Sequence, residues 1–125
     1  SVVEGAYPLL SLMFYGDYPA ILDLMRVYPI SILFGKPNPF VVGTVAEGFE
    51  SQLVEWINDF TSRTITLKPD LAAPYFLRGW AAYLEDSYSE SAVKDIEMAV
   101  RLAPEERLFA ESLACLQANC ASGAP

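Results

Sequence analysis

Histidine is absent, and Lys and Arg together number only 8 against 16 Asp and Glu in a chain of 125 residues. Without histidine the chain lacks the usual acid–base group near neutral pH and the commonest metal ligand. A net charge of −8 argues against nucleic acid, whose binding rests on Lys and Arg set against phosphate. Cysteine is scarce too, and Cys115 and Cys120 without a histidine do not make a zinc site. No charge-free run approaches the roughly 18–20 residues that a membrane span needs. The longest, Gly5–Gly16, is too short and carries Pro8. There is no Walker loop, glycine-rich dinucleotide fingerprint, nucleophile elbow or zinc signature. Glu85-Asp86, a tempting carboxylate pair, reads as solvated charge at a helix end. These absences point away from an enzyme, a cofactor or a metal.

What the sequence has in excess is apolar surface. Apolar residues make up 53% of it, above the usual share for soluble proteins. Much of that excess precedes residue 47, where only Glu4, Asp17, Asp23, Arg26 and Lys36 are charged. Two readings stand side by side: a buried helical core, or a sticky surface that meets another subunit or a membrane. The acidic surface is solubilising, and it is also compatible with a basic partner. The length allows one domain, 1–125, with a real core.

Taken in order, Val2–Tyr15 reads as a helix. Asp17 is placed to cap the next one, with Pro19 in its first turn. Ile21, Leu24, Met25 and Tyr28 share one face of that helix. Region 1–43 is therefore an apolar helical hairpin followed by a Pro-rich loop. Pro29, Pro37 and Pro39 exclude a long helix there, and Ile30–Phe34 suits a short extended segment. Thr44-Val45-Ala46-Glu47 is a capping box that opens a helix to about Thr66. Phe49, Leu53, Trp56, Ile57 and Phe60 fall at helical spacing along it. Arg63 and Lys68 suit its negative pole. Pro69 stops this helix and Asp70 is placed to cap the next, which ends near Asp86. Ser87-Tyr88-Ser89-Glu90 offers a second capping box. Pro104-Glu105-Glu106 opens the last helix, whose inner stripe is Phe109, Leu113 and Leu116. The tail from Asn119 should fray, with 121–125 beyond the helices.

Residues Ala72–Pro104 carry a recognisable pattern: Ala72, Ala73, Tyr75, Arg78-Gly79, Trp80 and Tyr83, then Tyr88, Ala92, Asp95, Ala99, Leu102 and Pro104. This resembles a tetratricopeptide repeat, in the variant with Arg-Gly in the first helix and a second helix closing on Leu-x-Pro. Tyr88 to Ala92 is one residue longer than the family's usual spacing. Gly79, with no Cβ, lets the two helices approach closely. Ala92 and Ala99 lie on one helical face and leave room for Trp80 and Tyr83. Ile65–Pro69 mirrors Val100–Pro104 at an offset of 35 residues, close to the roughly 34 of this repeat type. An acidic residue follows each proline. Gly16-Asp17-Tyr18 also occurs at inter-helix turns of the family, but the flanking positions match it poorly, so the first hairpin reads either as a plain helical hairpin or as a degenerate repeat.

The resemblance implies an all-α fold: about six helices in antiparallel pairs, stacked as a short α-solenoid, with 44–120 forming the repeat-like part. It further implies a protein-binding scaffold. Matching Gly79 to the family's small position turns Ala73, Phe76, Trp80, Tyr83 and Leu84 toward the groove that such repeats use. Family members with a carboxylate clamp place Lys, Arg and Asn there. Aromatic and aliphatic residues stand there in this chain, so that activity does not carry over. An apolar groove would take an amphipathic helix or an apolar segment, including one from its own chain. The alternative is that Trp80 and Tyr83 are core residues.

Trp56, Ile57, Phe60, Gly79, Ala92, Ile96 and Ala99 are the expected core. Cys115 and Cys120, five apart, would sit on different faces of a continuous helix, so buried free thiols are expected, and a disulfide only if the helix frays before Cys120. The cysteines leave the compartment open, between the cytoplasm and a processed secreted or periplasmic form. The chain opens at Ser1, which reads as a processed product or an excised fragment, and no signal peptide is present. The functional expectation is a non-enzymatic scaffold or assembly subunit. The alternative is a regulatory or sensor domain of a larger protein, binding a peptide or a small apolar ligand. Self-association or partner binding is expected through the N-terminal half, at Leu10 and Phe14, with the groove at Phe76, Trp80, Tyr83 and Leu84 as second choice.

Overall fold

A computed structural model describes residues 6–35, 38–40 and 49–120. Among them are seven helices and no strand: α1 (Ala6–Phe14), α2 (Tyr18–Arg26), α3 (Ile30–Leu33), α4 (Phe49–Leu67), α5 (Ala72–Glu85), α6 (Glu90–Leu102) and α7 (Arg107–Ala118). The all-α expectation holds. The added helix is α3, in place of the extended segment expected at Ile30–Phe34. Pro29 supplies the reason: its carbonyl accepts from the amides of Ile32 and Leu33, which starts a single turn. The capping box at Thr44 lies outside the described residues.

Local capping sets the helix starts. Asp17 accepts from the Ala20 amide at 3.2 Å, with Pro19 in the first turn, as its sequence suggests. At α6 the cap is Ser89 and not Ser87. Asp86 accepts from the Tyr88 amide through its side chain and from the Ser89 amide through its carbonyl. That turn carries the chain two residues further before Ser89 bonds the Ala92 amide. Asp70 does not cap α5. The Leu71 amide turns back to the Lys68 carbonyl, Leu71 becomes the cap, and no side chain serves the first turn. Neither Arg63 nor Lys68 falls in the last turn of α4. Arg63 pairs instead with Asp59, one turn back.

Helices adjacent in sequence pack on one another from α4 through α7. Ser62 of α4 faces Arg78 of α5, while Val54 shares a cleft with Glu85 at the other end, so this pair is antiparallel. Between α5 and α6 the approach at Gly79 is too close for a side chain. A Cβ there would lie 2.7 Å from Ile96 Cγ1 and 2.8 Å from the Ala92 carbonyl oxygen. Beside it, Arg78 grips Asp95 with two bonds, at 2.8 and 2.9 Å, and also donates to Ser62. One arginine thus ties α4, α5 and α6 together. The hairpin α1–α2 lies against α4 and α5, and α3 lies against α7. Tyr18 of α2 donates to Thr64 of α4 at 2.8 Å, since the Thr64 hydroxyl proton goes to the Phe60 carbonyl.

Ile57, Gly79, Ala92, Ile96 and Ala99 are buried as expected. Trp56 is 37% exposed and Phe60 only half-buried. The apolar stripe of α4 is wider than the face its neighbours cover. That face is Leu53, Val54, Ile57 and Thr61, and the Thr61 hydroxyl can be buried because it donates to the Ile57 carbonyl. In α7 the inward face is likewise shifted, to Leu108, Phe109, Ser112 and Cys115. Leu113 and Leu116 are only partly covered, and Ser112 satisfies its hydroxyl on the Leu108 carbonyl.

The cysteines depart from expectation. They form a disulfide, with their Cα atoms 4.9 Å apart. Helix α7 stops at Ala118, and Asn119 takes a left-handed conformation at φ 55° and ψ 48°. Asparagine tolerates that region better than most residues. The reversal returns the Cys120 amide to the Cys115 carbonyl and brings the two sulfurs together. Asn119 and Cys120 therefore form an ordered cap rather than the start of a frayed tail.

Gly79→Ala should destabilise the fold. Overpacking costs about 1–3 kcal/mol, and the better helix propensity of alanine returns about 1 kcal/mol at most. One obstacle is the backbone oxygen of Ala92, which cannot swing aside. A lower urea midpoint than wild type, and a lower one still for Gly79→Leu, is the expected result. Reducing the disulfide should cost about 2 kcal/mol, given the short loop it closes. The denatured chain should take up iodoacetamide only after reduction.

Candidate functional site

The face of α5 that the sequence offers as a groove is occupied by the chain itself. Phe76, Trp80, Tyr83 and Leu84 are buried, as is Ala73. The Trp80 indole N–H donates to the Leu33 carbonyl at 2.8 Å. Phe40 stands edge-on to Trp80, and Phe34 edge-on to Tyr83. Phe76 lies against Phe109. Asn38, itself buried, donates to the same Leu33 carbonyl at 2.7 Å and accepts from the Phe40 amide at 3.0 Å. An indole and a side-chain amide thus converge on one carbonyl oxygen, whose two lone pairs can serve both. The apolar stretch around Ile30–Phe40 is packed down by these bonds, with Leu33, Phe34 and Phe40 essentially inaccessible.

The N-terminal candidates fare differently. The Leu10 side chain lies outside the described residues. Phe14 is 72% exposed and the neighbouring Tyr15 80% exposed. Their rings meet edge to face, and Phe14 also stacks edge-on against the half-buried Phe60 of α4. Arg63 sits over the other reach of Phe60, 5.3 Å from its centroid. Two large exposed aromatics touching a third make a patch, unlike isolated exposed residues, which need no explanation. Tyr15 and Phe60 were not singled out as contacts from the sequence. The signal was present only as an unbroken Met13-Phe14-Tyr15 run.

A second surface was also missed. Between α2, the start of α5 and the α6–α7 turn lies an open cleft of about 410 Å³. Its floor is Tyr18, Leu22, Ala73 and Phe109, all buried apolar groups. Its rim carries Asp23, Asp70, Glu105 and Glu106 against a single cation, Arg26. Arg26 is already engaged by Asp23 and by Glu106. Both Pro-acid turns, Pro69-Asp70 and Pro104-Glu105, reach this one cleft. Their 35-residue spacing was legible in the sequence; their meeting in space was not.

Among the described residues no group of His, Cys, Asp and Glu is arranged to hold a metal ion. No described helix is long and apolar enough to cross a membrane. Every buried side-chain nitrogen and oxygen among them has a hydrogen-bond partner. Comparison with protein-family models, curated proteins and solved structures gave no match.

The Arg26 guanidinium holds the Glu106 carboxyl below the usual carboxylate range, helped by the Leu108 amide and opposed by burial. A carboxyl depressed on folding stabilises the fold above its unfolded pKa and loses that contribution as pH falls through the folded value. Glu106→Gln should therefore lower the urea midpoint at neutral pH. The difference from wild type should vanish in strong acid, as urea unfolding at the two pH values will show.

Proposed function

We propose that the chain is a non-enzymatic interaction scaffold or assembly subunit, built on tetratricopeptide-like helix pairs and joined to its partner through the N-terminal half. The observation that carries the reading is the exposed cluster of Phe14 and Tyr15 on Phe60. Aromatic residues are enriched at protein interfaces, and Tyr among the residues that carry their binding energy. The face of α5 is the weaker candidate, because Leu33, Phe34 and Phe40 already fill it. That occupancy also weighs against a sensor domain taking a small apolar ligand there.

Two features support a stacked-repeat arrangement. The helix pair α5–α6 approaches closely at the glycine of its Arg-Gly. The equivalent turns at Pro69 and Pro104 open on the same edge, as successive units of a stack would have them. The disulfide favours an oxidising compartment over the cytoplasm.

The intact chain should self-associate or bind an apolar dye at high concentration. Phe14→Ser with Tyr15→Ser should reduce that association several-fold while leaving the melting temperature close to wild type, since neither ring is buried. Trp80→Ala should instead unfold the protein. Analytical ultracentrifugation with thermal unfolding of each variant is the test, and a monodisperse, dye-negative monomer would refute the reading.

A further inference from the structure

The geometry points to the acidic cleft beside α2 as a docking site for a basic peptide segment of a protein partner, one in which a Leu-like side chain neighbours a Lys or Arg. This deepens the scaffold reading and shares its premise that the chain works by binding. The floor is apolar, and the open cleft's volume of about 410 Å³ lies within the range of ligand-binding clefts. An apolar side chain entering it would cover Leu71, which is 37% exposed, and the part-exposed Ala72 and Ala103.

Charge decides what accompanies that side chain. Arg26 is held between Asp23 and Glu106, which leaves Asp70 and Glu105 on the rim with no ion pair among the described residues. Two solvent-facing carboxylates lining an apolar cleft match a cationic side chain placed next to an apolar one. The first turn of α5 adds a different chemistry. Its cap, Leu71, offers no side-chain acceptor, and Ala72 and Ala73 line the same cleft. Their amides are orphan donors of a helix start, suited to a peptide carbonyl. A simple amine would use the carboxylates alone, whereas a peptide uses all three features.

The test uses the whole chain and a blocked peptide of alternating leucine and lysine. Binding is read by fluorescence anisotropy and by amide shifts at Ala72, Ala73 and Ala103. Removing two rim charges in Asp70→Asn with Glu105→Gln should weaken binding about three- to tenfold, the range two exposed charges can supply. Glu90→Gln with Glu97→Gln removes the same charge from the exposed face of α6 and should leave binding unchanged. Leu71→Ser should weaken it without loss of stability, because serine is also the better helix cap. Equal weakening by both charge pairs would reduce the effect to diffuse attraction and overturn the proposal. So would equal binding of a leucine–glutamate peptide, n-butylamine binding as tightly as the peptide, or full binding by Leu71→Ser. If the chain associates through Phe14 and Tyr15 yet takes no leucine–lysine peptide, the scaffold reading stands and this site falls. If the peptide binds here to a dye-negative monomer, the site stands and the assembly reading falls.

Discussion

The close approach of α5 and α6 at Gly79 sets the geometry of everything around it. With a Cβ absent, the Ala92 carbonyl and the Ile96 side chain move into the space a side chain would take. That brings Asp95 within bidentate reach of Arg78, whose third bond, to Ser62, fixes α4 on the opposite flank. Three helices are thereby held in one register by two consecutive residues. The other face of α5 is then presented in a fixed orientation, and the N-terminal segment is built to fit it. The two-point bond to Asp95 commits the part-buried Arg78 to holding the three helices together.

Wherever periodicity and punctuation carry the information, the sequence is a good guide. Helices α4 and α6 stop just short of Pro69 and Pro104, Asp17 caps α2, and Gly79, Ala92, Ile96 and Ala99 lie where small and apolar residues at helical spacing would put them. It misleads where several local solutions compete. Two serines near α6 can each cap it, and the turn around Asp86 selects the later one. The stripe of α4 has more apolar residues than its neighbours can cover, so Trp56 is left at the edge while a threonine goes inside. The disulfide is invisible to helical spacing because it depends on one left-handed residue, Asn119, that breaks the helix between the two cysteines. Both candidate surfaces are tertiary. Phe14 meets Phe60, and Asp70 meets Glu105, only after the chain has doubled back.

The division of labour between the two sides of α5 is also physical. On the α6 side the contact is backbone-close and fixed by a charge pair. On the N-terminal side it is aromatic, with two donors converging on the Leu33 carbonyl as its polar anchor. The apolar excess of the N-terminal half therefore has two destinations. Leu33, Phe34 and Phe40 become core, and Phe14 with Tyr15 stays outside. The two readings of that composition, core and sticky surface, apply to different residues of the same stretch.

The hydrogen bond from Trp80 to Leu33 joins residues 47 positions apart, and the order of synthesis gives that separation a cost. A ribosome delivers Leu33, Phe34 and Phe40 well before the helix that shelters them, α5. At about 5–20 residues per second, the greasy segment waits roughly 2 to 10 seconds before its platform exists. During that interval these apolar side chains have no partner in α5, and such transiently exposed surface favours aggregation. A holdase that masks the segment, or a slow stretch of codons placed elsewhere than between these two residues, would bear directly on the yield of folded protein.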